Sequence, residues 1–244
     1  MLGISGGDPS FRDDDGAPDP GVIAALEAFA AGSCSEHAAL TALASSRLLV
    51  PVVAVLADQA DAPEPGRGEQ VRPEAMHGEK ASDMALPTLI GLDGRRAIPA
   101  FTSMDSMRRW RPAARPVPAA AQQVWQAAAD DSCAVVIDVA GPVRLAVDGA
   151  RLAALARGEA VPAAWADPDV REVVSDVLAG RLTAAEFDLR PGERDHDLVI
   201  ALSVVRERAG CDGTELAAEV ADAVMHRLGA RLRRGVAIWL NAGT

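Results

Sequence analysis

The stretch EKASDMALPTLIGLDGRRAIPAFTS, residues 79–103, decides the fold of this chain. Two apolar runs, residues 84–91 and 95–101, lie on either side of Asp93-Gly94, a dipeptide that readily takes the positive φ angles of a tight turn. The pattern predicts a β-hairpin. Pro87 lies inside the first strand and cannot donate to a ladder, so this strand is expected at the edge of a sheet.

Elements before the hairpin follow from local start and stop signals. Asp19-Pro20 predicts the N-terminus of a helix, and Gly32 predicts its end. Ser35 is expected to cap a second, short helix. The run RLLVPVVAVL, residues 47–56, predicts a strand, and Pro51 within it favours an edge position or a bulge.

The segment after the hairpin alternates between helices and strands. Thr102 or Ser103 is expected to cap a short helix that reaches Trp110, and the proline-rich residues 111–118 lead into the next helix. Periodicity predicts a helix over 118–129, strands over 132–138 and 143–147, and a helix over 149–158. Residues 158–170 are typical of an interdomain connection, because they contain two prolines and no periodicity.

The last third of the chain predicts a separate αββαβ unit. Its predicted elements are a helix over 168–179, strands over 185–190 and 197–205, a helix over 214–229 and a strand over 234–240. The whole chain is therefore predicted to be α+β (mixed α/β). We expect a flexible tail over 1–18, a domain with a mixed sheet and flanking helices over 19–160, and a smaller domain over 161–244.

Composition and charge exclude several classes of function. The net charge of -11 would repel a phosphate backbone, so nucleic acid is an unlikely partner. Three cysteines without paired spacing indicate reduced thiols in a cytosol. The N-terminus lacks the features of a signal peptide, and the longest apolar run, residues 48–57, is about half of what a membrane-spanning helix needs. The protein is expected to be cytoplasmic, without membrane contact.

Motifs for metals and cofactors are weak. Cys34-x-x-His37 is the one close pair of metal-ligating side chains, and a zinc site would need a second pair. The sequence GRGEQ, residues 66–70, lacks the third glycine and the strand and helix that frame a phosphate-binding loop. We therefore expect neither a metal nor a cofactor.

Lys80 is the single lysine of the chain, and with Ser82 and Asp83 it forms the one weak catalytic candidate. A desolvated lysine can act as a base or as a Schiff-base nucleophile. If a strand begins at Ser82, however, Lys80 and Ser82 share one face and Asp83 lies on the other, so no local relay forms. An exposed ion pair at the entrance of the strand explains the same residues.

Residues 95–115 carry six arginines and one aspartate, which gives a local charge of +5 in an acidic protein. The candidate binding residues are Arg95, Arg96, Arg108, Arg109, Trp110 and Arg111. Arginines beside an aromatic ring can receive a carboxylate, a phosphate or an acidic protein surface through bidentate contacts. The alternative is a solvated face, paired in part with the acidic residues 57–79.

An ordered series of segments resembles the SseB family of bacterial proteins. The segments are residues 79–103, Trp110, ARPVP (114–118), AVVIDVAGPV (134–143) and LAALARGE (152–159). The resemblance covers about residues 20–160, and the remaining residues are similar to the second, more variable region of two-domain actinobacterial members. It implies an intracellular mixed α/β domain in a family named for a serine-sensitivity phenotype. The resemblance implies no reaction, so it assigns no catalytic residues.

Three hypotheses for function follow. The first is a non-catalytic cytoplasmic protein that binds an unknown protein partner or a small anion, with the link to serine or amino-acid metabolism that the resemblance implies. The second is an enzyme that acts on a small amino-acid-like substrate through Lys80 and Ser82. The third is a metabolite sensor whose C-terminal domain holds the ligand.

Overall fold

A computed structural model describes residues 11–55, 83–179, 185–193, 195–204 and 213–242. The helices among these residues are α1 (Pro20–Ala30), α2 (Glu36–Ala44), α3 (Met104–Trp110), α4 (Ala121–Asp130), α5 (Gly149–Arg157), α6 (Pro168–Ala179) and α7 (Gly213–Leu228). The strands are β1 (Arg47–Val55), β2 (Asp83–Ala85), β3 (Leu89–Ile90), β4 (Arg96–Ala100), β5 (Arg115–Ala120), β6 (Ala134–Ile137), β7 (Leu145–Val147), β8 (Ala185–Pro191), β9 (Leu198–Val204) and β10 (Val236–Ala242). The predicted α+β class is confirmed.

The chain forms two compact units. The first takes in Met1–Ala24 and Ala42–Ala160, and the second takes in Ala25–Thr41 and Val161–Thr244. The sequence analysis placed residues 25–41 with the first domain, whereas the structure groups them with the C-terminal residues. Local signals at both ends of α1 are confirmed, because the Asp19 carboxylate accepts the Gly21 N–H at 2.7 Å and Gly32 has a φ of 68°.

Among the described residues, two sheets build the first unit. One has the order β2-β1-β5 with antiparallel pairs, and the other has the order β3-β4-β6-β7. In the second sheet β4 and β6 run parallel, while β3–β4 and β6–β7 are antiparallel. The predicted turn between β3 and β4 is present, since the Gly91 N–H donates to the Arg95 carbonyl at 2.9 Å and Gly94 has a φ of 78°.

The first strand of the predicted hairpin is divided between the two sheets. β2 pairs with β1, and only β3 pairs with β4. Pro87 lies between β2 and β3, outside both strands. The prediction of one continuous strand over 84–91 is therefore wrong, and the missing N–H of Pro87 explains why the pairing is interrupted there.

Pro51 occupies a central strand, so the prediction of an edge or a bulge is wrong. Leu49 exchanges two backbone hydrogen bonds with Phe101, at 2.8 and 2.9 Å, on the side of β1 away from β5. Alternate residues of a strand direct their N–H groups to the same side, so the nitrogen of Pro51 also faces away from β5. The β1–β5 ladder therefore loses no donor at Pro51.

The same register explains β5, a strand that the sequence analysis missed. Pro118 lies opposite Leu49 and Pro116 lies opposite Pro51, so both proline nitrogens face the outer side of β5. Proline is tolerated at that side of an edge strand. A proline-rich segment could therefore form a strand that sequence alone predicts as a connection.

Residues 11–18, part of the predicted flexible tail, make specific contacts in the first unit. The Arg47 guanidinium pairs with the Asp14 carboxylate at 2.6 Å and donates to the carbonyls of Ala17 and Thr102. The Met104 N–H donates to the Gly16 carbonyl at 2.9 Å. One arginine at the start of β1 thus holds this segment beside the residues that precede α3.

The second unit has the predicted αββαβ order. β9 is its central strand, antiparallel to β8 and parallel to β10. Its core contains apolar residues of α6, α7 and the sheet, with Leu232 after α7; they are Val170, Val174, Leu178, Leu189, Leu198, Ile200, Leu202, Leu216, Val220, Val224, Leu228 and Leu232. After α7, the half-buried Arg231 pairs with the buried Glu36 at 3.2 Å and also with the buried Asp167.

Candidate functional site

The candidate site is built where the parallel strands β4 and β6 end. Thr102 and Ser103 follow β4, and Asp138 follows β6 directly. Ser103 is extended, and its hydroxyl accepts the Ser106 N–H at 3.2 Å, so Ser103 is the N-cap of α3 as the sequence analysis predicted. Polar residues that follow adjacent parallel strands meet at one edge of the sheet.

Asp138 joins the two strand ends. Its side chain accepts the Thr102 N–H at 3.0 Å and the Thr102 hydroxyl at 2.6 Å, and it also bonds to the Ser106 hydroxyl. The residue is 3% exposed and has a φ of 47°, a conformation that aspartate tolerates better than most residues. The Asp138 carboxyl group therefore fixes the residue before the N-cap and the first turn of α3.

Burial raises the pKa of the Asp138 carboxyl group. The hydrogen bonds from Thr102 and Ser106, and then the positive charge of Arg109, act in the opposite direction without cancelling the effect of burial. Because the hydrogen bonds of this carboxyl group are to residues of the fold, its role on this geometry is to position α3.

The C-terminal half of α3 is anchored by apolar contacts. Met107 is buried in a cluster with Leu49 and Phe101, and Trp110 packs against that cluster. The rings of Trp110 and Phe101 lie 5.5 Å apart at an angle of 34°. The guanidinium carbon of Arg111 lies 5.3 Å from the centroid of the Trp110 ring, within cation–π range.

Three arginines flank this anchored tryptophan in the sequence. Arg108 and Arg109 are exposed, and Arg111 is half-buried. Within the described part of the chain, none of the three forms an ion pair, although Asp105 lies one helical turn before Arg108 and Arg109. We call Arg108, Arg109, Trp110 and Arg111 the α3 surface.

Arg95 and Arg96 have different surroundings from the α3 surface. Arg95 pairs with Asp93 at 2.5 Å and with Asp148 at 2.7 Å, and the hydrogen bond that Arg95 donates to Asp93 is the main cause that raises the pKa of Arg95. Arg96 is exposed at the first position of β4. The structure thus groups Arg108, Arg109, Trp110 and Arg111 at one end of α3 and places Arg95 against two carboxylates.

The weak catalytic candidates fall largely outside the described residues. Lys80 and Ser82 lie there entirely. For Asp83, the described part is its backbone, which pairs with Val55 between β2 and β1. Their proposed chemistry therefore stays a prediction.

The sequence analysis missed Asp138 because its partners are 36 residues away in the chain. The sequence did contain a signal for this site. Asp138 directly follows the apolar run AVVI, and Thr102-Ser103 directly follows the apolar run AIPAF. Two polar strand ends in one sheet would have indicated this edge if the parallel pairing of β4 and β6 had been known.

Two broader features of the described residues bear on the choice of function. They include no group of three or more His, Cys, Asp or Glu side chains that could hold a metal ion. Among them, no helix is long and apolar enough to cross a membrane.

Comparison with known proteins identifies a family. The family model of the SseB protein N-terminal domain matches residues 22–154, more than half of the 244 residues. No curated protein and no solved structure matches the chain at a significant level. The matched residues include β4, α3, β6 and Asp138, so the candidate site lies within the part of the chain that the family model matches.

Proposed function

Because the chain belongs to the SseB family, we propose that it is a cytoplasmic binding protein that recognises carboxylate groups through the α3 surface, without catalysis of its own. The observation that carries this proposal is the stacking of Arg111 on the anchored Trp110, with the exposed Arg108 and Arg109 directly before it in the last turn of α3. In a protein with a net charge of -11, these arginines make no ion pair among the described residues.

Geometry supports recognition of a carboxylate in particular. A guanidinium that stacks on an aromatic ring keeps its N–H edge available while its conformational freedom is reduced. Arg111, which directly follows α3, has this arrangement on Trp110, and Arg108 lies in the last turn of the helix. A bidentate contact from one arginine and a second contact from its neighbour would hold one carboxylate between them.

The carboxylate could belong to an acidic surface of a protein or to a free amino acid. The first source agrees with the expected protein partner, and the second with the metabolic link that the family name implies. The two are separated by experiment, since a protein partner is retained on an affinity column and a free amino acid changes thermal stability.

The main test is co-purification from the native host. The variant Arg108→Glu/Arg109→Glu/Arg111→Glu should lose the retained partner. A matched control, Arg144→Glu/Arg190→Glu/Arg227→Glu, changes the net charge equally at exposed arginines and should keep it. Partner retention by the unsubstituted protein should also decrease with salt, because exposed charges are screened.

A second measurement addresses the free amino acid. Serine and glutamate at increasing concentration should raise the melting temperature of the unsubstituted protein and leave that of the α3 variant unchanged. If both variants retain the same proteins as the unsubstituted chain and neither amino acid stabilises it, the proposed function is wrong. The enzyme hypothesis with Lys80 and Ser82 and the sensor hypothesis for the C-terminal domain then gain priority.

A further inference from the structure

β10 is an edge strand with an open side. It pairs in parallel with β9 over its whole length, from Val236 opposite Leu198 to Ala242 opposite Val204. In the part of the chain that the structure describes, no strand pairs with the other side of β10. Alternate residues of β10 therefore direct their N–H and C=O groups toward this open side.

Among the other described edge strands, β2, β3 and β7 have only two or three residues, and β8 and β5 carry protection that β10 lacks. β8, at the opposite edge of the same sheet, has the charged and exposed Glu186, Asp188 and Arg190 and ends in Pro191. β5 carries Arg115 and two prolines. Charges and prolines of this kind prevent edge-to-edge pairing in soluble proteins. β10, with the sequence VAIWLNA, has neither.

β10 also exposes apolar side chains. Trp239 is 42% exposed and Leu240 is 44% exposed, and they are adjacent in one strand. Successive residues of a strand point to opposite faces, so an apolar side chain is exposed on each face at this edge. A partner strand would cover both faces together with the open backbone groups.

We propose that β10 pairs with β10 of a second copy of this chain. A two-fold axis perpendicular to the sheet makes the two strands antiparallel and joins two three-stranded sheets into one of six strands. With the axis at Trp239, the two Trp239 side chains become cross-strand neighbours, and Leu240 lies opposite Ile238 of the other copy.

Charge and symmetry favour a second copy of β10 as the partner strand. Two β10 strands bring no like charges together, because the charged residues Arg233 and Arg234 lie before the strand. Two copies of β8, in contrast, would bring charged side chains next to one another. Self-pairing also covers the same apolar residues on both copies at once, which pairing with an unrelated strand would not do.

Sedimentation velocity on the full chain tests the proposal. The unsubstituted protein should be a dimer, and Trp239→Lys or Leu240→Lys should raise the dissociation constant of the dimer about tenfold or more. Trp165→Lys is the matched control, because Trp165 is also 42% exposed and belongs to the same unit, outside β10. This control should remain a dimer.

Circular dichroism and hydrogen exchange complete the test. Circular dichroism identifies variants that fail to fold, and Leu240→Lys then replaces Trp239→Lys. Hydrogen exchange of the unsubstituted chain should show slower exchange in residues 236–242 as the protein concentration rises. A monomer at all concentrations, a folded Leu240→Lys variant that stays dimeric, or exchange in 236–242 that is independent of concentration would overturn the proposal.

Discussion

Arg231 and the arginines of the α3 surface have opposite surroundings. The Arg231 side chain is 14% exposed and pairs with Glu36 and Asp167, whereas Arg108 and Arg109 are exposed and make no ion pair among the described residues. Burial alone would lower the pKa of Arg231, and the two carboxylates raise it instead. The comparison teaches that an arginine cluster in a sequence can serve the fold or leave a surface for binding, and that its carboxylate neighbours decide between the two.

Removing the Arg231 charge should have the largest effect on stability. Arg231→Met leaves two buried carboxylates without their cation, so we expect the free energy of unfolding to fall by about 3–5 kcal/mol. The control Arg227→Met removes an exposed arginine that pairs with Asp176 and should cost at most about 1 kcal/mol. Urea unfolding of both variants measures this difference. If both variants lost the same free energy of unfolding, the contacts of Arg231 with Glu36 and Asp167 would contribute no more to stability than an exposed ion pair.

A smaller effect, which depends on pH, is expected at Asp138. Since burial raises the pKa of its carboxyl group in the folded protein, the folded state holds this proton more tightly than the unfolded state. The stabilisation is complete below the unfolded pKa, about 3.9, and is lost as the pH rises through the folded pKa. Asp138→Asn has no such proton to lose.

Urea unfolding at several pH values measures this effect. The difference in the free energy of unfolding between the unsubstituted protein and Asp138→Asn should become less favourable to the unsubstituted protein as the pH rises from about 4. Asp105→Asn, which removes one negative charge from the exposed side of the same helix, supplies the baseline. A difference that stays constant or grows with pH would contradict a raised pKa.

Local signals in the sequence predicted much of the fold. The cap at Asp19, the turn at Asp93-Gly94 and the Ser103 cap each depend on residues that are close in the chain. The expectations based on Pro51 and Pro116 were wrong, because the cost of a missing N–H depends on which side of the strand faces a partner. That side is set by pairing, which local sequence does not reveal.

The candidate site was predictable only in part. Arg108 to Arg111 were expected from composition, since an arginine cluster beside a tryptophan stands out in an acidic chain. The pairing of Arg95 with Asp148 was not expected, because Asp148 is 53 residues away from it. The contact between Glu36 and Arg231 spans 195 residues, so no local pattern separates this arginine from exposed ones.

The central claim is that the fold does not depend on the arginines of the α3 surface. Its most direct test is the free energy of urea unfolding of Arg108→Gln/Arg109→Gln/Arg111→Gln. We predict a loss of at most about 1 kcal/mol, most of it from the contact of Arg111 with Trp110. A loss of about 3 kcal/mol or more, as expected for Arg231→Met, would contradict the claim and assign these arginines to the fold.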